Sequence, residues 1–168
     1  MSAKLSNPGS GKRAAELGPV ELSFLYVAFA ALAAFVYWPA MDGDFVSDDF
    51  LYIVTNTYVH ELSWANFLDI LNPWGGPALD TANYAPVHLL ALAVEIALFG
   101  DRTFGFHLVN VLLHALCSLL LTLSLRRHAG AHAAAIFGGA LFLLHPANVE
   151  AVAWIFQLKT ILALLFSM

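Results

Sequence analysis

An all-α, polytopic transmembrane helix bundle is the fold class this sequence predicts, and three observations predict it. Of 168 residues, 60% are hydrophobic and only 11% charged, with mean hydropathy +0.75. That leaves too few polar side chains to cover a soluble domain. Apolar runs of roughly twenty residues recur, the length needed to cross about 30 Å of hydrocarbon. The charges are also segregated. Lys4, Lys12 and Arg13 precede the first run, Met41 to Asp101 holds nine acids and no Lys or Arg, and Arg126 and Arg127 then come as a pair. The acidic block argues against nucleic acid as a partner.

Residues 1–20 read as a tail. Its "GSGKR" lacks the spacing and the preceding strand of a phosphate-binding loop. The first span, 21–40, ends in the aromatic anchor Tyr37–Trp38 and is stopped by Pro39. "PAMDG" is a poor cleavage site, so the run reads as an uncleaved anchor rather than a signal peptide. A long loop follows, 41–103. Within it Pro86 suits a helix's first turn and Gly100 its end, which predicts a helix over about 86–99. Fourteen residues are too few to span, and Glu95 sits among them, so an interfacial or re-entrant helix is expected. His88 and Glu95, seven apart, share a face; either they turn to the headgroups or they face a cavity together.

The second span is 104–125, closed by the short basic loop 126–129. The third, 130–145, is short and rich in Ala and Gly; 146–149 make a turn, and 150–168 read as a fourth, continuous helix. The chain stops inside "LALLFSM" and reads like the front of a longer protein. Positive charge marks the cytoplasmic side. Lys4, Lys12 and Arg13 put the N-terminus inside, and Arg126 with Arg127 put the second short loop inside. The acidic loop and the turn at His145 therefore face outward. The Ala- and Leu-heavy spans lean toward a bacterial inner membrane rather than endoplasmic reticulum. Cys117, the one cysteine, has no intramolecular partner.

Polar residues recur where lipid-facing ones are expected. His107, Asn110, His114, Cys117 or Ser118, and Thr122 fall every three or four positions on the second span and form one stripe. Such a stripe faces other helices, and interhelical hydrogen bonding explains it. His107 and His114 stand two turns, about 10.5 Å, apart, too far to hold one metal ion directly. On the outer side, Asp48 and Asp49 lie in one segment and Glu150 at the start of another. Carboxylates converging there would suit a lipid-borne substrate such as a sugar on a polyprenyl phosphate. A base takes the acceptor's hydroxyl proton while the anomeric carbon becomes oxocarbenium-like. The phosphate leaving group needs a cation, a metal or a helix N-terminus.

Four stretches in order, "FVSDDFLYIVTNTYV", "YAPVHLLALAVEIALFG", "GFHLVNVLLHALCSLLL" and "LFLLHPANVEAVAWIFQLKTILALLF", resemble the N-terminal part of the GT-C superfamily of membrane glycosyltransferases. They are most similar to protein O-mannosyltransferase-like proteins, especially those bearing tetratricopeptide repeats. The resemblance implies a GT-C-like helix bundle whose first outer loop carries an acidic pair and membrane-parallel helices. It implies a polyprenyl-phosphate sugar, dolichyl-phosphate mannose in eukaryotes, as donor and protein Ser or Thr as acceptor, with inversion. On that reading Asp48 or Asp49 is the catalytic base, and Glu150 and His145 orient the acceptor or the loop. Lys159 contacts donor phosphate. Thr160 departs from the acidic or amide residue found in relatives after that lysine. No cofactor is assigned, and a need for a divalent metal is left open. The expected partners are the lipid bilayer, the lipid-linked sugar and a protein or glycan acceptor. The rival reading is a non-catalytic membrane module, a transporter fragment or an envelope-complex scaffold, in which the polar stripe only joins helices.

Overall fold

The computed structural model describes residues 17–129 and 131–168. Lys4, Lys12, Arg13 and the "GSGKR" stretch, on which the orientation of the N-terminus rests, lie outside them. The described chain is all-α, with no strand among the described residues. Helix α1 (Pro19–Tyr37) starts on Pro19, whose missing N–H costs nothing in a first turn, and Glu21 reaches back to the Gly18 N–H at 2.9 Å. The loop that follows holds a π-turn (Phe50–Val54) and three short helices, α2 (Thr57–His60), α3 (Trp64–Leu71) and α4 (Gly76–Asp80). Asn56 caps α2 through the Tyr58 N–H, and Ser63 caps α3 through the Asn66 N–H. Then come α5 (Pro86–Phe99), α6 (Thr103–Ala129) and α7 (His132–Leu144). Gly100 ends α5 at φ 61°, a left-handed position that favours glycine.

The stretch 150–168 is not one helix. It divides into α8 (Val149–Ala153), a 3-10 turn (Ile155–Gln157) and α9 (Leu158–Ser167), with Trp154 extended between them (φ −94°, ψ 122°). No Pro or Gly marks the break, so nothing local announces it. A second bend, of 49°, separates α7 from the segment Pro146–Ala153. Pro146 opens a 3-10 turn there, and the His145 Nδ1 accepts from the Ala147 N–H at 3.2 Å.

Helix α6 is the axis, packing on α1, α5, α7, α8 and α9. With 27 residues it is about 40 Å long. Two helical segments, Pro19–Ala40 and Thr103–His128, are long and apolar enough to cross a membrane, and the bent pair α7–α8 makes up to a third. The chain is thus of membrane type. One core gathers Tyr52, Ile53, Leu89, Leu92, Phe106 and Phe156 around α5 and the loop; the other gathers Phe29, Ala33, Val111, Ala115, Leu143 and Val152 around α1, α6 and α7. On α7, the buried Ala135, Gly139 and Leu143 face α6 at four-residue spacing. A Cβ on Gly139 would collide with the Thr122 hydroxyl and meet the Ser118 carbonyl at 2.9 Å, so only glycine allows this approach.

Candidate functional site

The acidic pair of the loop is split by its backbone. Ser47 adopts a left-handed conformation (φ 50°), which reverses the chain immediately before Asp48. Asp48 stays partly exposed while Asp49 is fully buried. Both oxygens of Asp49 are taken by main-chain donors. The Val46 N–H reaches Oδ2 at 2.8 Å, in the manner of the backward half of a capping box, and the Phe156 N–H reaches Oδ1 at 2.8 Å across 107 positions. The Trp154 indole nitrogen is directed toward the same carboxylate without reaching hydrogen-bond geometry. Burial lifts the Asp49 pKa above its ordinary value. The two N–H donors and nearby His107 oppose that lift without cancelling it.

Phe156 is the hub of what lies beneath. Its ring packs on Tyr52 (4.6 Å between centroids), Trp154 (5.4 Å) and, edge-on, His88 (5.6 Å). The Lys159 ammonium sits 3.5 Å from the centroid of the same ring, in cation–π contact. Tyr52 is tied in turn to Asn83, whose amide donates to its hydroxyl at 3.1 Å. Neither Tyr52 nor Phe156 stands out in the sequence as a site residue. The signal was present in the aromatic run "WIF" beside Lys159, but an aromatic run among apolar residues is indistinguishable from core.

Glu150 is exposed on the first turn of α8 and accepts from the Gln157 amide at 3.1 Å; the Gln157 carbonyl oxygen accepts from the Thr160 hydroxyl at 2.7 Å. His145 is exposed and engaged in its turn. The link between the loop acids and the α8–α9 junction therefore runs through Asp49 and Phe156. His88 and Glu95, left open between headgroups and a cavity, are both buried against the α5 core. Both His88 ring nitrogens and Glu95 Oε1 lack a hydrogen-bond partner.

The stripe on α6 is buried along its whole length. The His107 Nε2 lies 3.2 Å from the Gly43 carbonyl, and the His114 Nε2 3.1 Å from that of Leu143. Asn110 donates to the carbonyls of Trp154 (3.2 Å) and Val152 (3.4 Å). The Ser118 and Thr122 hydroxyls bond back to the carbonyls four residues earlier, each at 2.9 Å. The Cys117 thiol points at the Ile161 carbonyl, 3.8 Å away. Among the described residues, no group of three or more His, Cys, Asp or Glu is placed to hold a metal ion.

No family profile matches the chain, and no solved structure matches it. Known proteins do. The chain is 34% identical over 168 aligned residues to Protein O-mannosyl-transferase TMTC1 of Mus musculus, covering 94% of this chain and 18% of that protein. It is 33% identical to Protein O-mannosyl-transferase TMTC1 of Homo sapiens, covering 93% of this chain and 18% of that protein. It is 30% identical to Protein O-mannosyl-transferase Tmtc2 of Drosophila melanogaster, covering 79% and 14%. The chain spans less than a fifth of the length of each of these three relatives. Over the stretch it spans, it belongs to the protein O-mannosyl-transferase-like family.

Proposed function

We propose that this chain is the N-terminal part of an integral membrane glycosyltransferase. The enzyme moves a hexose, mannose first among candidates, from a polyprenyl-phosphate donor to Ser or Thr of an extracytoplasmic protein. The observation that carries this reading is the kinship to proteins named O-mannosyl-transferases over nearly the whole chain. The geometry of the acidic pair supports it and divides its labour. Asp48 is the partly exposed acid of the pair, whereas both oxygens of the buried Asp49 are already engaged. In the proposed reaction the acceptor hydroxyl gives its proton to Asp48 and attacks the anomeric carbon. The bond from that carbon to the phosphate oxygen breaks, the lipid phosphate leaves, and the configuration inverts. Lys159, on the Phe156 ring, supplies the cation for the departing phosphate. Glu150 and His145 position the acceptor or the loop.

The proposal carries a topology: N-terminus and Arg126/Arg127 cytoplasmic, acidic loop outside, α5 along the membrane surface, in a bacterial inner membrane. Single cysteines at exposed positions 80 and 127 (Asp80→Cys, Arg127→Cys, with Cys117 replaced) read the sides. An impermeant maleimide on intact cells should label 80 and spare 127; the reverse overturns the topology. The chemistry is tested in the full-length parent with polyprenyl-phosphate sugar and a protein acceptor. Asp48→Asn keeps the shape but cannot take a proton, and should lower turnover by about 10²–10⁴-fold at matched protein levels. Turnover near the parental rate would overturn the assignment.

A further inference from the structure

In an unbroken helix the Phe156 N–H would bond to the carbonyl four residues earlier, that of Val152. Here that bond is split and each half is taken by a distant side chain. Asp49 Oδ1 accepts from the Phe156 N–H at 2.8 Å, and the Asn110 amide donates to the Val152 carbonyl at 3.4 Å and to the Trp154 carbonyl at 3.2 Å. Asp49 and Asn110 are 0% and 1% exposed, so neither end of the split bond has water as an alternative. The geometry points to Asp49 and Asn110 as a paired clamp that holds the α8–α9 break open, making both of them positioning residues rather than catalytic ones.

Three features fit a clamp. The break lacks Pro and Gly, so local sequence does not enforce it. Asp49 stands at the N-terminal side of the turn leading into α9, where a carboxylate matches the unpaired N–H groups and the helix dipole. The clamp also ties three elements, the acidic loop, α6 and the α8–α9 junction, at one place. Lys159, three residues beyond Phe156, is carried by the same segment: if the break closed into regular helix, residues beyond Trp154 would rotate and shift. Phe156 would then leave Tyr52 and His88, and the ring on which Lys159 sits would move with it. The adjacent acids thus divide their tasks: one faces the acceptor and its neighbour fixes the cation. The cation's role rests on the functional reading proposed above; the clamp itself does not.

Amide hydrogen exchange on the full-length protein in lipid nanodiscs reads the clamp without any activity. Asp49→Asn places an amide where two N–H donors need acceptors, and Asn110→Ala removes the other half. Each should speed exchange over 155–158 by about ten- to hundredfold, the size of a lost hydrogen bond to a charged group, while peptides from α1 stay unchanged. Asp48→Asn should leave 155–158 unchanged. If Asp49→Asn is not recovered from membranes, Asn110→Ser, which shortens only the second arm, carries the same test. Unchanged exchange at 155–158 in the Asp49 and Asn110 variants overturns the clamp. In the transfer assay, Asp49→Asn should raise the KM for the lipid-phosphate sugar and keep the acidic limb of the pH–rate profile, where a carboxylate base is lost to protonation, which Asp48→Asn should remove. An Asp49→Asn enzyme that loses the limb at normal KM overturns the positioning role. An Asp48→Asn enzyme that transfers normally overturns the functional reading while exchange still decides the clamp.

Discussion

Along α6, His114, Ser118 and Thr122 are as buried as any apolar side chain, and each has its polar group hydrogen-bonded to a carbonyl. On α5, His88 and Glu95 are buried to the same degree, yet both ring nitrogens of the one and Oε1 of the other have no partner. The difference lies in what surrounds them. The α6 groups meet main-chain carbonyls of their own helix or of the nearby end of α7. The α5 groups sit in the core built on Tyr52, Leu89, Leu92 and Phe156, which offers His88 ring faces instead. Burial without a partner drives both α5 groups toward their neutral forms, His88 down to about 4, with Lys159 adding to the fall, and Glu95 up to about 8. One region satisfies its polarity on main-chain carbonyls, within α6 for Ser118 and Thr122 and across to α7 for His114. The other carries it as a cost, about 1–3 kcal/mol per orphaned group, which packing offsets.

The contrast breaks most visibly at the α6–α7 contact. Gly139→Val in the full-length protein drives a side chain into Thr122 and the Ser118 carbonyl, and should cost about 3 kcal/mol, seen as a lower midpoint in thermal unfolding in detergent. A midpoint unchanged within error would mean that the two helices do not touch as described.

Glu95→Leu tests the other side. Its folded-state pKa, about 8, exceeds the ordinary 4.5, so the folded protein holds the proton more tightly than the unfolded one. The stability this group contributes is fully present below pH 4.5, is lost as pH rises through about 8, and is flat above that. The parent should therefore weaken between pH 6 and 9 by roughly 2 kcal/mol relative to the leucine variant, which lacks this slope. Parallel pH profiles would show that Glu95 has a partner in the intact protein.

His114→Leu removes a satisfied group and leaves the Leu143 carbonyl alone, for a loss of about 1–2 kcal/mol, read in the same thermal unfolding. The smallest effect belongs to Glu150→Gln. This exposed residue can keep its contact with Gln157, so stability should change by less than about 0.5 kcal/mol.

What the sequence reveals of this fold follows the same division. Features set by neighbours in the chain are legible: Pro86 and Gly100 bracket α5, the three- to four-residue recurrence on α6 marks a buried stripe, and composition sets the all-α class. The α8–α9 break is not legible, because its cause lies in Asn110 and Asp49, far along the chain. Seven positions apart, Glu150 and Gln157 would share a face of a continuous helix; the two do meet, but across a broken one. The short helices α2, α3 and α4 escape for a different reason. At four to eight residues they offer too few turns for a period to show. Of the candidate site, the acids and Lys159 were visible as residue types, whereas the Phe156 hub existed only once the break had turned its ring inward.

The small-residue face of α7 bears on biogenesis. With 13 residues α7 is about 20 Å long, roughly two thirds of a hydrocarbon layer, and it leads into a 49° bend. A helix this short is poorly retained by lipid alone. Its partner α6, whose 26-residue apolar segment Thr103–His128 is translated just ahead of it, is long enough to insert unaided. The pair thus favours integration as a hairpin, with α6 settling first and the Gly139 face docking on a wall already in place. Lengthening the turn between them would separate the two events and expose α7 to being left in the aqueous phase.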